Sequence, residues 1–139
     1  MSRYLDTNTI IGLLTADPLS ARVSALLRRS AEPMIISDFT AAEFSAVVGR
    51  KARTGAITRQ HALDALAALD QWSARISRID LETGDISRAD SFLRRLDLPL
   101  QAPDAIHIAI AERLGATLVT FDLRMGSAAR TLGLAVAGA

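Results

Sequence analysis

The chain is predicted to be an α/β protein, a three-layer α/β/α sandwich with a short parallel β-sheet, and three observations predict it. Short apolar runs alternate with longer stretches of helical periodicity along all 139 residues, the pattern of a parallel sheet covered by crossover helices. Half of the residues are hydrophobic but only 4% are aromatic, so Ala and Leu supply much of the apolar content and favour helix. Acidic residues stand where the apolar runs give way to helical patterns, at the edge of an open sheet where ligands bind.

Arg3-Tyr4-Leu5 reads as a short strand reaching Asp6, followed by a short helix over 9–14. Asp17-Pro18 is a helix start, with Asp as cap and Pro at the first helical position. Leu19, Val23, Leu26 and Leu27 form that helix's apolar stripe, to about Ser30. Met34-Ile35-Ile36-Ser37 reads as a buried strand, and Asp38 or Thr40 caps a helix to about Thr54, ended by Gly55. Thr58 caps the next helix, with Leu63, Leu66 and Leu69 inward. Residues 76–79 alternate as a half-buried strand, and 81–96 form a helix with Ile86 and Leu93 inside. Pro99 and Pro103 bracket a loop, and Asp104 opens a very apolar helix closed by Gly115. Thr117 to Thr120 is a strand leading to Asp122, 124–132 is helical, and 134–136 is an edge strand. No linker or repeat interrupts this order, so residues 1–139 read as one domain.

The chain has no cysteine, which excludes disulfides and thiolate metal sites. No apolar run approaches the roughly 20 residues needed to span a bilayer, and the N-terminus carries charge at once, unlike a signal peptide. A soluble, cytoplasmic protein is expected. Net charge is +1, so no strong global field attracts nucleic acid, but the basic residues are nearly all Arg, which suits bidentate phosphate contacts.

Asp6, Glu43, Asp104 and Asp122 are the candidate site. Each also has a local structural explanation: Asp6 and Asp122 as helix caps, Asp104 as an acid in a first helical turn, and Glu43 as the reciprocal partner of Thr40 in a capping box. Their joint placement argues for more. Two carboxylates about 5 Å apart repel by roughly 3 kcal/mol at an effective dielectric near 20, so a cluster calls for a cation, and oxygen ligands call for Mg²⁺ or Mn²⁺. The other acids read as caps or solvated faces, Asp38 and Asp85 among them.

Tyr4-Leu5-Asp6-Thr7-Asn8, Ile36-Ser37 through Thr40-Ala41-Ala42-Glu43-Phe44, Ala102-Pro103-Asp104-Ala105-Ile106-His107-Ile108-Ala109 and Leu118-Val119-Thr120-Phe121-Asp122 together resemble the PIN-domain ribonucleases, and within them the VapC toxins of toxin–antitoxin pairs. The resemblance covers essentially the whole chain. It implies a Mg²⁺- or Mn²⁺-dependent endoribonuclease acting on tRNA or rRNA, with Asp6, Asp104 and Asp122 as metal ligands and Glu43 handling the attacking water. It implies 5′-phosphate and 3′-hydroxyl products, supporting roles for Asn8 and Thr120, a homodimer, and a VapB-type antitoxin whose tail covers the groove. Many members carry a further Asp or Asn soon after the fourth acid. Leu123-Arg124-Met125-Gly126 follows it here, so one ion is expected.

Arg50 lies seven residues beyond Glu43, on nearly the same helical face, and with Lys51, Arg53 and Arg124 could hold the RNA backbone. His107 is one turn from Asp104 and is expected to help position it. Two other readings differ in one feature each. A non-catalytic module binding RNA or an antitoxin would have lost an acid, and none is lost; a haloacid-dehalogenase-like phosphohydrolase needs Asp-x-Asp where Asp6-Thr7-Asn8 stands.

Overall fold

The computed structural model describes residues 1–139. Five strands, β1 (Arg3–Leu5), β2 (Met34–Ser37), β3 (Ser77–Ile79), β4 (Thr117–Thr120) and β5 (Val136–Gly138), form one sheet in the order β3-β2-β1-β4-β5. All four pairings are parallel. Seven helices connect and cover them: α1 (Thr7–Leu14), α2 (Ser20–Arg28), α3 (Asp38–Arg53), α4 (Arg59–Ser73), α5 (Thr83–Leu93), α6 (Ala102–Leu114) and α7 (Leu123–Thr131). None is long and apolar enough to cross a membrane.

Alternation along the central strands sends successive side chains to opposite faces. Tyr4 and Leu118 join Ala89, Phe92, Ile108, Met125 and Ala129 in the core under α5, α6 and α7. Leu5, Ile36 and Val119 join Ile10, Ile11, Phe44, Val48 and Leu69 in the core under α1, α3 and α4. Both faces of β1 and β4 are therefore dry, which is why apolar residues stand side by side there, Tyr4-Leu5 and Leu118-Val119, rather than alternating with polar ones. The chain winds from β1 through β2 to β3, then returns to β4 on the other side of β1. The reversal places a crevice at the carboxyl ends of β1 and β4, the topological switch point where α/β sheets bind ligands.

Several local expectations are corrected. Ser37 caps α3, its Oγ accepting from Thr40 N at 3.0 Å, so neither Asp38 nor Thr40 is the cap. Asp17 instead closes a turn by accepting from Leu19 N, and α2 starts only at Ser20. Pro103 lies inside α6, in its first turn. Leu63 and Ile86 face outward, at 46% and 45% exposure. The inward stripes are Ala62, Leu66, Leu69 and Asp85, Ala89, Phe92, spaced i, i+4, i+7; choosing residues one position off rotates them about 100° away from the core. Asp85 is not solvated: it is 1% exposed and held by Arg113 of α6. The last strand begins at Val136 rather than Leu134, after a turn through Gly133, whose φ of 92° few other residues adopt.

Candidate active site

Three strand ends deliver three helix N-termini to the same edge of the sheet. Asp6 leaves β1 and caps α1, Ser37 leaves β2 and caps α3, and Asp122 follows β4 and caps α7. The start of α6 arrives there too, bringing Asp104 in its first turn. Helix N-termini carry positive partial charge, so carboxylates concentrate there without destabilising the fold.

Asp6 is 1% exposed and lies deepest. Its Oδ1 accepts from Thr9 N at 2.9 Å and Thr9 Oγ1 at 2.6 Å, and its Oδ2 accepts from Thr120 Oγ1 at 2.6 Å. All three donors are neutral. Each carboxylate oxygen has two lone pairs, so Oδ1 is filled by its two donors and Oδ2 retains one lone pair for a cation. Thr120 is fully buried and also accepts from Asp122 N at 3.1 Å, which ties the ends of β1 and β4 together through one hydroxyl.

Because Ser37 is the cap, Glu43 sits at the sixth position of α3, beyond the reach of a capping box, and its side chain turns into the crevice. Its Oε1 accepts from Thr7 Oγ1 at 2.6 Å and meets His107 Nε2 at 2.5 Å, while Oε2 has no protein partner. Burial opposes ionisation of Glu43, but the hydrogen bonds from His107 and Thr7 outweigh it and hold the carboxyl below its ordinary range. Glu43 is therefore a carboxylate near neutral pH.

Asp104 is the opposite case. Burial pushes its carboxyl up, Asp122 and Glu43 push it further, and the bond from Gln101 N at 3.3 Å offsets only part of this. It is the true capping-box acid of the site, paired with Gln101 across the start of α6. Asp122 Oδ1 accepts from Met125 N at 2.9 Å, leaving Oδ2 without a protein partner.

Asp6, Asn8, Glu43, Arg50 and Asp104 line one groove of about 220 Å³ together with Thr7, Pro103, His107 and Met125. Asp122 stands outside this lining, close enough to Asp104 to raise its pKa. Asn8 is exposed on the groove wall. Lys51 does not join: one residue on from Arg50 it turns toward a neighbouring apolar groove of about 330 Å³, lined by Ile11, Leu14, Val47, Val48 and Ile57 among others. Arg124 is exposed on the first turn of α7 and is not part of the groove lining. His107 departs from its expected role. It is 2% exposed and engages Glu43, not Asp104.

The residues missed in the sequence are the hydroxyls that hold the acids and the imidazole, those of Tyr4, Thr7, Thr9, Ser37 and Thr40. One signal was present. Tyr4 sits in the middle of a buried strand, and a buried phenol needs a hydrogen-bond partner.

The donor set is all oxygen, since both His107 nitrogens are committed within the protein. No three acidic or imidazole side chains are drawn into a ready-made metal cage. Hard oxygen donors at wider spacing fit a small divalent cation that keeps several of its waters.

Residues 3–131 match the PIN domain family. The chain is 35% identical over 136 residues to ribonuclease VapC46 of Mycobacterium tuberculosis, covering 96% of this chain and 94% of that protein. Among solved structures, FitAcB of Neisseria gonorrhoeae superposes with a TM-score of 0.74 at 22% identity, covering 96% of this chain and 95% of the other. VapC20 of Mycobacterium tuberculosis, a toxin that cleaves the sarcin-ricin loop, superposes with a TM-score of 0.73 at 18% identity, covering 91% and 94%. DNA-bound VapBC of Salmonella typhimurium gives 0.71 at 22%, covering 98% and 96%. At these identities the structural likeness establishes the fold.

Proposed function

The chain belongs to the PIN-domain family, and on that premise we propose that it is a divalent-metal-dependent endoribonuclease, the toxin of a VapBC-type toxin–antitoxin pair, working as a single domain in the cytoplasm. The observation that carries this reading is Asp6: a buried carboxylate at the switch point, surrounded only by neutral donors, with Glu43 and Asp104 on the same groove. A buried charge calls for a counter-charge, and beyond the N-terminus of α1 the protein supplies no basic side chain here.

Asp6 and Asp104 would hold the cation, Mg²⁺ or Mn²⁺, with Asp122 reaching it directly or through water. When bound, such an ion neutralises charge on the phosphate and lowers the pKa of a neighbouring water. Glu43 presents its unpartnered Oε2 to the groove and is ionised, so it can orient the attacking water and take its proton. Thr9 and Thr120 fix the Asp6 carboxylate, and Asn8 offers an amide on the wall. Arg50, on the same groove, is placed to hold the RNA backbone; Lys51 faces elsewhere. Hydrolysis would leave a 5′-phosphate and a 3′-hydroxyl. The substrate class is a structured RNA, tRNA or rRNA.

The apolar groove shares Val47 with the acidic one, so the two run together on the surface. An antitoxin with an apolar segment and a basic tail could cover both. A homodimer completes the proposal.

The test is cleavage of structured RNAs by the purified, partner-free protein with Mg²⁺, with EDTA, and as Asp6→Asn. Metal-dependent cleavage lost in the variant supports the reading. Cleavage that survives both treatments contradicts it, and RNA binding without cleavage by the wild type points to a binding module.

A further inference from the structure

Glu43 is gripped from one side only. Thr7 Oγ1 and His107 Nε2 both engage Oε1, at 2.6 and 2.5 Å, and nothing engages Oε2. A carboxylate on a helix can rotate to present either oxygen, or swing away altogether. Two donors on one oxygen remove that freedom and leave one defined acceptor facing the groove.

What aims His107 lies further in. Its Nδ1 is 2.8 Å from the hydroxyl of Tyr4, which is fully buried on β1. That hydroxyl also meets Ser37 Oγ at 2.8 Å and Thr40 Oγ1 at 3.1 Å, at the start of α3. The hydrogens can be assigned from the partners. Ser37 Oγ accepts from Thr40 N, so its own hydrogen is free for Tyr4. Glu43 accepts only, so Nε2 must carry a hydrogen. With Tyr4 donating to Nδ1, every group in the chain is satisfied, and the ring is the neutral Nε2–H tautomer. Phe39 packs against the imidazole at 5.1 Å between ring centroids and closes the other side.

We propose that Tyr4 and His107 are positioning residues: a buried Tyr4–His107–Glu43 relay sets the imidazole tautomer, clamps Oε1 of Glu43, and so dedicates Oε2 to the attacking water. The catalytic part of this rests on the function proposed above; the tautomer does not. The relay joins β1, α3 and α6, three elements that meet at the active edge, so the water-handling group is held by the same contacts that close the fold there.

The experiment uses the whole 139-residue chain labelled with ¹⁵N-histidine, as wild type, Tyr4→Phe, His107→Gln and His107→Ala, with thermal unfolding to confirm each fold. In wild type, His107 should show a proton on Nε2, slow to exchange, and an acceptor Nδ1. Tyr4→Phe removes one oxygen and leaves Nδ1 without its donor, so the ring is free to turn and its Nε2–H should exchange faster. In single-turnover RNA cleavage it should lower kcat about tenfold while KM for RNA and Mg²⁺ affinity hold. His107→Gln, which can still donate to Oε1, should retain several times the kcat of His107→Ala. A wild-type ring that is doubly protonated or protonated on Nδ1 overturns the relay, as does a Tyr4→Phe variant with the wild-type Nε2–H exchange and kcat. If the wild type cuts no RNA, the proposed function fails, while the NMR spectra still decide whether the Tyr4–His107–Glu43 arrangement exists.

Discussion

Asp6 and Asp85 are equally buried, each 1% exposed, and each caps or braces the start of a helix. Their partners differ. Asp85 receives Arg113 Nε at 2.7 Å and Nη2 at 3.0 Å, a two-pronged guanidinium clamp, and Glu82 N at 2.9 Å besides. Asp6 receives two hydroxyls and one amide, and no positive side chain. One carboxylate has its counter-charge inside the protein and joins α5 to α6. The other has been given hydrogen bonds that orient it and a charge left open. A buried acid with an internal cation is architecture, and a buried acid with neutral donors only is suited to an external cation.

The sharpest way to break this contrast is Asp85→Ala. It leaves Arg113 without its main partner and should cost about 2–4 kcal/mol, read as a lowered urea midpoint, with RNA cleavage per folded molecule unchanged. A loss of cleavage without a loss of stability would place Asp85 in the active site and dissolve the distinction.

The pH dependence of stability should separate the two regions by sign. Asp85 has its pKa lowered in the fold: burial opposes this, and Arg113 and the Glu82 amide win. Its contribution is complete above the unfolded carboxylate value of about 3.9 and disappears as pH falls through the lower folded value. Asp104 has its pKa raised by burial and by Asp122, so without metal its ionisation is a cost that grows as pH rises through the carboxylate range. Urea midpoints of Asp85→Asn and Asp104→Asn against wild type, from pH 3 to 7, should therefore diverge in opposite directions.

Thr120→Val removes the hydroxyl on Asp6 Oδ2 and should lower metal affinity or kcat by about 10–100-fold, the usual scale for groups that orient a metal ligand. The smallest effect is expected from Arg50→Ala, which should weaken RNA binding roughly uniformly across sequences and reduce its salt dependence by about one phosphate contact. Lys51→Ala, directed into the other groove, should do neither.

The sheet and the acidic edge were legible because both depend on local pattern. Strands buried on both faces are apolar runs, and an acid at a strand-to-helix junction is visible in one dimension. What was not legible depends on residues far apart. Glu43 looked like a capping-box partner of Thr40 until Ser37 proved to be the cap, which moved Glu43 a turn deeper and freed its side chain. Its real partner, His107, is 64 residues away, and so His107 was assigned to its near neighbour Asp104. Arg50 and Lys51 were grouped by adjacency, yet successive helical residues point about 100° apart and enter different grooves. Asp85 looked solvated because Arg113 sits on another helix.

The most direct test of an open charge at Asp6 is thermal unfolding of the metal-free protein titrated with Mg²⁺. A site that binds only the folded chain stabilises it by about 2.7 kcal/mol at a hundredfold excess over Kd. Tm should rise with Mg²⁺ in wild type and in Asp85→Asn, and stay flat in Asp6→Asn. A rise of equal size in Asp6→Asn, or none in wild type, would contradict an open charge at Asp6.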